Sequence, residues 1–212
     1  MTKFRWLVGL PFVMGTTVGA LGSPTHAESD WVLNNCDDTP SFNTDWRRSD
    51  ARAYASSANG DGYDWGGGCW NGDGQDNTPN QDGYHNSDGE GPDCSGFVHK
   101  AWALANNGTN NRRYWPPLNN VYPDAHGPYT AASLKAGVDA ADQLPNTNYG
   151  TTLVMDAFAS SSHVGMIYSE GSGGDDTIVE AKDQQIKTGI FPHRHYRFDP
   201  DYSGVKRAVW DQ

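Results

Sequence analysis

The chain has 212 residues, with 26 acidic against 15 basic side chains and a formal net charge of −11. That balance argues against capture of nucleic acid or anionic lipid through a basic face. The length suits one domain with a sizeable core.

Residues 1–27 read as an export signal. Lys3 and Arg5 precede an apolar run from Trp6 to about Leu21, and Thr25-His26-Ala27 offers a small residue for cleavage. Pro11, Gly15 and Gly19 break the run, which disfavours a retained membrane anchor. Cleavage would leave 13 basic against 26 acidic residues, a net charge of −13. The mature protein is expected outside a bacterial cell, off the membrane and free of nucleic acid, as a monomer. Residues 28–48 form an irregular leader with Trp31 and Trp46 as packing anchors. Ser49 to Ala58 is a short helix capped by Ser49. A loop rich in Gly, Asp and Asn runs over 59–92. Asp61, Asp73 and Asp76 offer hard oxygens there, but the spacing of a known calcium loop and its closing bidentate glutamate are missing. A solvated surface loop is therefore expected, with no metal and no cofactor. A main helix spans Cys94 to Asn106 and stops at Asn107-Gly108, with a short helix at Ala131 to Lys135. Strands follow at Thr151–Asp156, His163–Ser169, Thr177–Ala181, His193–Phe198 and Val205–Trp210. Helices first and strands later predict an α+β domain with an antiparallel sheet.

Three cysteines in an exported chain leave one over once two have paired. Three pairings are possible. Cys36 and Cys69 lie in loop-like surroundings where a cross-link helps most, which favours a Cys36–Cys69 disulfide. Cys94 lies at a helix start after Asp93, a good N-cap. Outward-pointing N–H groups there would favour a thiolate nucleophile. A buried structural cysteine is the other reading.

A nucleophilic cysteine needs a base, and the base needs a group that holds its ring. His99 points to a different helix face from Cys94, and His85 and His126 lie in loops. His163 opens a strand followed by a turn and the strand Thr177–Ala181. A tight hairpin would set Ile167 opposite Asp176, Gly165 opposite Ile178 and His163 opposite Glu180. Glu180 is then the orienting carboxylate, with Asp183, Gln184 and His193 as competitors if the turn is longer.

Asp93-Cys94-Ser95-Gly96-Phe97-Val98, followed by His163-Val164-Gly165-Met166-Ile167-Tyr168, resembles the NlpC-type cell-wall cysteine peptidases. Tyr63-Asp64-Trp65-Gly66-Gly67 resembles the Tyr-x-Trp-Gly-Gly element of that family. The resemblance covers roughly residues 50–210 and implies a papain-like fold, with the nucleophile helix packed on a C-terminal antiparallel sheet. The implied activity is hydrolysis of amide bonds in peptidoglycan stem peptides or crosslinks. By the same resemblance Cys94, His163 and Glu180 form the catalytic set and Tyr63 helps bind the oxyanion. Asp93, Ser95 and Trp65 contact substrate, and residues 68–92 form a rim to the cleft; in the rival wall-binding reading below, Trp65, Trp70 and Trp115 line an aromatic groove. The chain departs from the family in an insertion at 68–92 and in Thr152, which stands where the family's Gly-Asp-Leu-Val has its acid. Two rivals stand beside this reading: another thiol acyl transfer on wall material, and a catalytically silent wall-binding protein.

Overall fold

Alternating apolar residues in the C-terminal part build an antiparallel sheet of six strands, seen in a computed structural model that describes residues 46–79, 89–104, 126–138, 141–144 and 152–210. In chain order the elements are α1 (Arg48–Ser57), β1 (Gly68–Cys69), β2 (Gly91–Pro92), α2 (Cys94–Ala101), α3 (Ala131–Ala136), β3 (Ala141–Gln143), β4 (Ala157–Ala159), β5 (Val164–Ser169), β6 (Asp176–Ala181), β7 (Thr188–Arg194) and β8 (Ser203–Arg207). The large sheet has the order β3-β8-β4-β5-β6-β7, while β1 and β2 form a separate two-stranded ribbon. The expected α+β class holds. The expected export signal, Trp31, Cys36 and Trp115 lie outside the described residues, and so does the Cys36–Cys69 pairing. No helix among the described residues is long and apolar enough to cross a membrane.

Strand periodicity sorts the side chains onto two faces. Val164, Met166, Val179, Ala181 and Val205 turn to one face and pack with Phe97, Val98, Ala101 and Trp102 of the α2 segment. Phe158, Ile167, Ile178 and Tyr196 form a smaller cluster on the other. Trp46 donates through Nε1 to the Ala101 carbonyl (2.9 Å), satisfying an acceptor left open at the end of α2. Trp46, inside the expected irregular leader, is thus tied to α2.

Several boundaries differ from the sequence expectation. α1 starts at Arg48, and Asp50 accepts from the Arg47 N–H (3.1 Å), so Ser49 is not its cap. α2 ends at Ala101 rather than Asn106. Ala103 enters the left-handed region (φ 46°), its N–H donates to Lys100, and the Leu104 N–H donates to His99, a Schellman closure made without glycine. Residues 152–156 are not a strand. Met155 also has positive φ (66°), and the turn there is fixed by the Leu153 N–H on Asp156 (2.8 Å) and by Arg48 on both Asp156 (2.6 Å) and the Val154 carbonyl (2.7 Å). Likewise 193–198 divides into the end of β7 and a 3-10 turn, Tyr196–Phe198, which brings Tyr196 and Arg197 under the sheet.

Candidate active site

Cys94 is the first residue of α2, and the preceding Asp93 is extended (φ −82°, ψ 176°) as an N-cap should be. Its Oδ1 accepts from the N–H groups of Ser95 (2.9 Å) and Gly96 (2.7 Å) and from Ser95 Oγ (3.1 Å). Its Oδ2 accepts from the Gly66 N–H (3.1 Å) and from His126 Nε2 (2.9 Å). Burial opposes ionisation of Asp93, but His126 and these donors hold its carboxyl below the usual range. Both Asp93 oxygens are therefore engaged inside the protein, and Ser95 Oγ is shared between Asp93 and His126 (3.1 Å). The expected substrate anchors thus form a buried hub beside the nucleophile.

This hub corrects the expectation of a helix-stabilised thiolate. The N–H groups of Ser95 and Gly96 are spent on Asp93, whose charge also faces the sulfur. Burial, and next Asp93, push the Cys94 thiol up to about 12. The resting group is a thiol and needs a base. Its sulfur lies 4.0 Å from the Ser162 carbonyl, and the Val164 N–H faces it, so it rests against the segment that carries His163.

His163 Nε2 meets Glu180 Oε2 at 2.5 Å. The contact arises through a register other than the expected one. Ile178 pairs with Ile167 and Val179 with Met166, two residues from the tight-hairpin alignment, because the turn contains a 3-10 segment (Ser172–Gly174) and a bulge between Ile167 and Ser169. A two-residue slip leaves each side chain on its own face. Glu180 now stands opposite Gly165 and reaches diagonally to His163. A Cβ on Gly165 would lie 3.1 Å from Glu180 Oε2 and 2.6 Å from Ile178 Cγ2, so the diagonal passes through space that only glycine leaves open. Gly165→Ala is expected to lower stability by about 1–3 kcal/mol through overpacking. It should also lower turnover while leaving Cys94 in place; an unchanged denaturation midpoint and rate would contradict the close approach.

Glu180 is fully buried. Tyr196 donates to its Oε2 (2.8 Å), and Arg194 pairs with Oε1 (2.9 Å). Burial opposes its ionisation, yet the bonds from His163 and Tyr196 and the charge of Arg194 keep its carboxyl low. A depressed carboxyl stabilises the fold above the unfolded value of about 4.3 and loses that contribution as pH falls through the folded value. The stability gap between the wild type and Glu180→Gln should therefore be full near pH 6 and close below about pH 4, read from urea midpoints. A gap independent of pH would show that the carboxylate charge contributes nothing. Of the competing orienters, Asp183 accepts from the N–H groups of Gln185 (3.0 Å) and Ile186 (2.7 Å), and His193 pairs with Asp175 (2.5 Å).

With Nε2 committed to Glu180, Nδ1 is the His163 nitrogen left to accept a proton. Tyr63, Trp65, Cys94, Ser95, His126, Ser161 and Ser162 are among the residues lining a cleft of about 160 Å³. Burial, followed by Cys94 and Asp93, pushes the Tyr63 phenol up, so it remains an O–H donor. Trp65 is 37% exposed at the cleft, whereas Trp70 is wholly buried and donates to Ser57 Oγ (2.9 Å). Trp70 thus belongs to the core and not to an aromatic groove. None of the described residues of the 68–92 insertion lines the cleft, contrary to the expected rim, and residues 80–88 lie outside the description.

His126 is the site residue that sequence reading passed over. It is 1% exposed, with Nε2 on Asp93 and Nδ1 2.8 Å from the Gly127 carbonyl. Both ring nitrogens face acceptors, the arrangement of a doubly protonated ring with no lone pair for catalysis. His126 lines the cleft beside Cys94, whereas His163 directly follows the lining residues Ser161 and Ser162 and keeps Nδ1 as an acceptor. Comparison with known protein families, curated proteins and solved structures finds no match. The family resemblance rests on the three motifs and on where their residues lie.

Proposed function

We propose that the chain is an exported cysteine hydrolase of NlpC type that cleaves amide bonds in peptidoglycan stem peptides or crosslinks. The observation that carries this reading is the His163–Glu180 couple just before β5, next in sequence to Ser162, whose carbonyl lies 4.0 Å from the Cys94 sulfur. His163 Nδ1 takes the Sγ proton as the sulfur attacks the amide carbonyl. The raised thiol requires this transfer to accompany attack. The Tyr63 O–H and the backbone N–H of Cys94 donate to the oxyanion. Collapse expels the amine, which takes the proton from His163, and leaves a thioester. Water then attacks the thioester, giving its proton to His163, and the thiol and a carboxylic acid are released.

Glu180 accepts the Nε2–H throughout, fixing the tautomer and stabilising the imidazolium. The motif resemblance and the expected export signal support wall peptides as substrate, with no cofactor in any step. Purified peptidoglycan digested with the protein should release shortened stem peptides bearing new free amines, detected by mass spectrometry. Cleaved glycan strands with intact peptides would overturn the assignment. A thioester trapped with an added amine would favour acyl transfer to that acceptor over hydrolysis.

A further inference from the structure

The insertion ends in an arrangement that hydrolysis does not use. Asp61, just before the Tyr63 element, Asp73 inside the insertion and Glu90 at its end each bring one carboxylate oxygen within 4.8 Å of the others. Asp61 and Glu90 are fully buried, while Asp73 is exposed. Backbone donors fix all three groups. Asp61 accepts from Gly72 (3.1 Å) and Gly74 (2.9 Å), Asp73 from Gln75 (2.8 Å), and Glu90 Oε2 from Asn77. The other Glu90 oxygen, Oε1, is buried and receives no hydrogen bond. Lys187 pairs with the neighbouring Asp76 (2.7 Å) rather than with this trio. Three converging carboxylates, one with a buried oxygen lacking any donor, call for a cation.

We propose that Asp61, Asp73 and Glu90 bind a calcium ion. Oxygens this close are bridged by one ion with metal–oxygen distances of about 2.3–2.6 Å. An all-oxygen donor set selects a hard cation over zinc or copper. The exposed side at Asp73 admits water to complete six to eight ligands, and the irregular loop matches the flexible geometry that calcium accepts and magnesium does not. Glu90 supplies the closing acid that the linear spacing of the loop lacked. The ion ties the Tyr63 segment to the segment that leads into Cys94. Those segments cross where Gly91, at φ 128°, leaves a gap that a Cβ would close to 2.4 Å from the Gly62 backbone. The inference concerns cation binding alone and stands apart from the hydrolase reading.

The full chain, stripped with EGTA, is titrated with calcium chloride while binding heat and unfolding temperature are followed. The unfolding midpoint should rise by about 5–10 °C at a hundredfold excess over Kd, and magnesium chloride at equal concentration should raise it less. Asp73→Asn, at an exposed position that the fold tolerates, should bind calcium at least about tenfold more weakly through loss of a charged ligand. Glu90→Gln should abolish the calcium shift without lowering the midpoint in EGTA, since it relieves repulsion with Asp61 and Asp73. A purely structural Glu90 would instead lower that midpoint. Absence of both heat and midpoint shift up to about 10 mM calcium, beyond the range of extracellular modules, overturns the proposal. So does an undiminished shift in both variants.

Discussion

Cys94→Ala should release no new amines from purified peptidoglycan, a loss on the order of 10⁴-fold or more when the nucleophile of a triad is removed. The prediction isolates chemistry from folding. Cys94 is 8% exposed and packs as a small apolar side chain beside Val164 and Phe97 in the core, so alanine leaves only a small void. The unfolding midpoint should fall by no more than about 2–4 °C. Wall digestion by Cys94→Ala at the wild-type rate would remove the cysteine from the mechanism and with it the family reading. Loss of digestion together with collapse of the fold would show that Cys94 serves packing alone.

Glu180→Ala should act on two levels at once. It leaves the Tyr196 hydroxyl, Arg194 and His163 Nε2 without their common acceptor in a buried site, and breaking such a pair costs about 3–5 kcal/mol. At the same time the imidazole loses its tautomer control, and turnover should fall by about one to three orders of magnitude. Glu180 does not touch the reacting bond, so kcat should fall while KM stays within about threefold. Glu180→Gln keeps the shape and an acceptor for His163, and should be milder in rate. Its amide N–H₂ would meet Arg194 donor to donor, so part of the stability loss remains. Full activity of Glu180→Ala would leave His163 without an orienter and refute its role here.

The parts of the molecule legible in sequence were those written in local periodicity. Phe97, Val98 and Ala101 announce α2, and alternation announces β5 and β6. Even the wrong hairpin alignment led to the right carboxylate, because strand side chains repeat every two residues and the error was two. Boundaries failed where the backbone turns left-handed without glycine, at Ala103 and Met155, since neither residue carries a turn signal. His126 and Glu90 escaped for a different reason. Each acquires its meaning from partners far along the chain, Asp93 for one and Asp61 for the other, and no linear spacing encodes those contacts. A buried carboxylate such as Glu90 is conspicuous only once its burial is known.

Asp93 holds three stretches of chain that are remote in sequence: the turn containing Gly66, the start of α2 and the loop bearing His126. The cleft therefore has no half-built version. A chain in which α2 has formed but the segments from residue 126 onward have not docked lacks both the His126 partner of Asp93 and the His163–Glu180 couple. On the proposed reading, such a chain would lack the machinery for hydrolysis until these distant segments meet at one buried carboxylate.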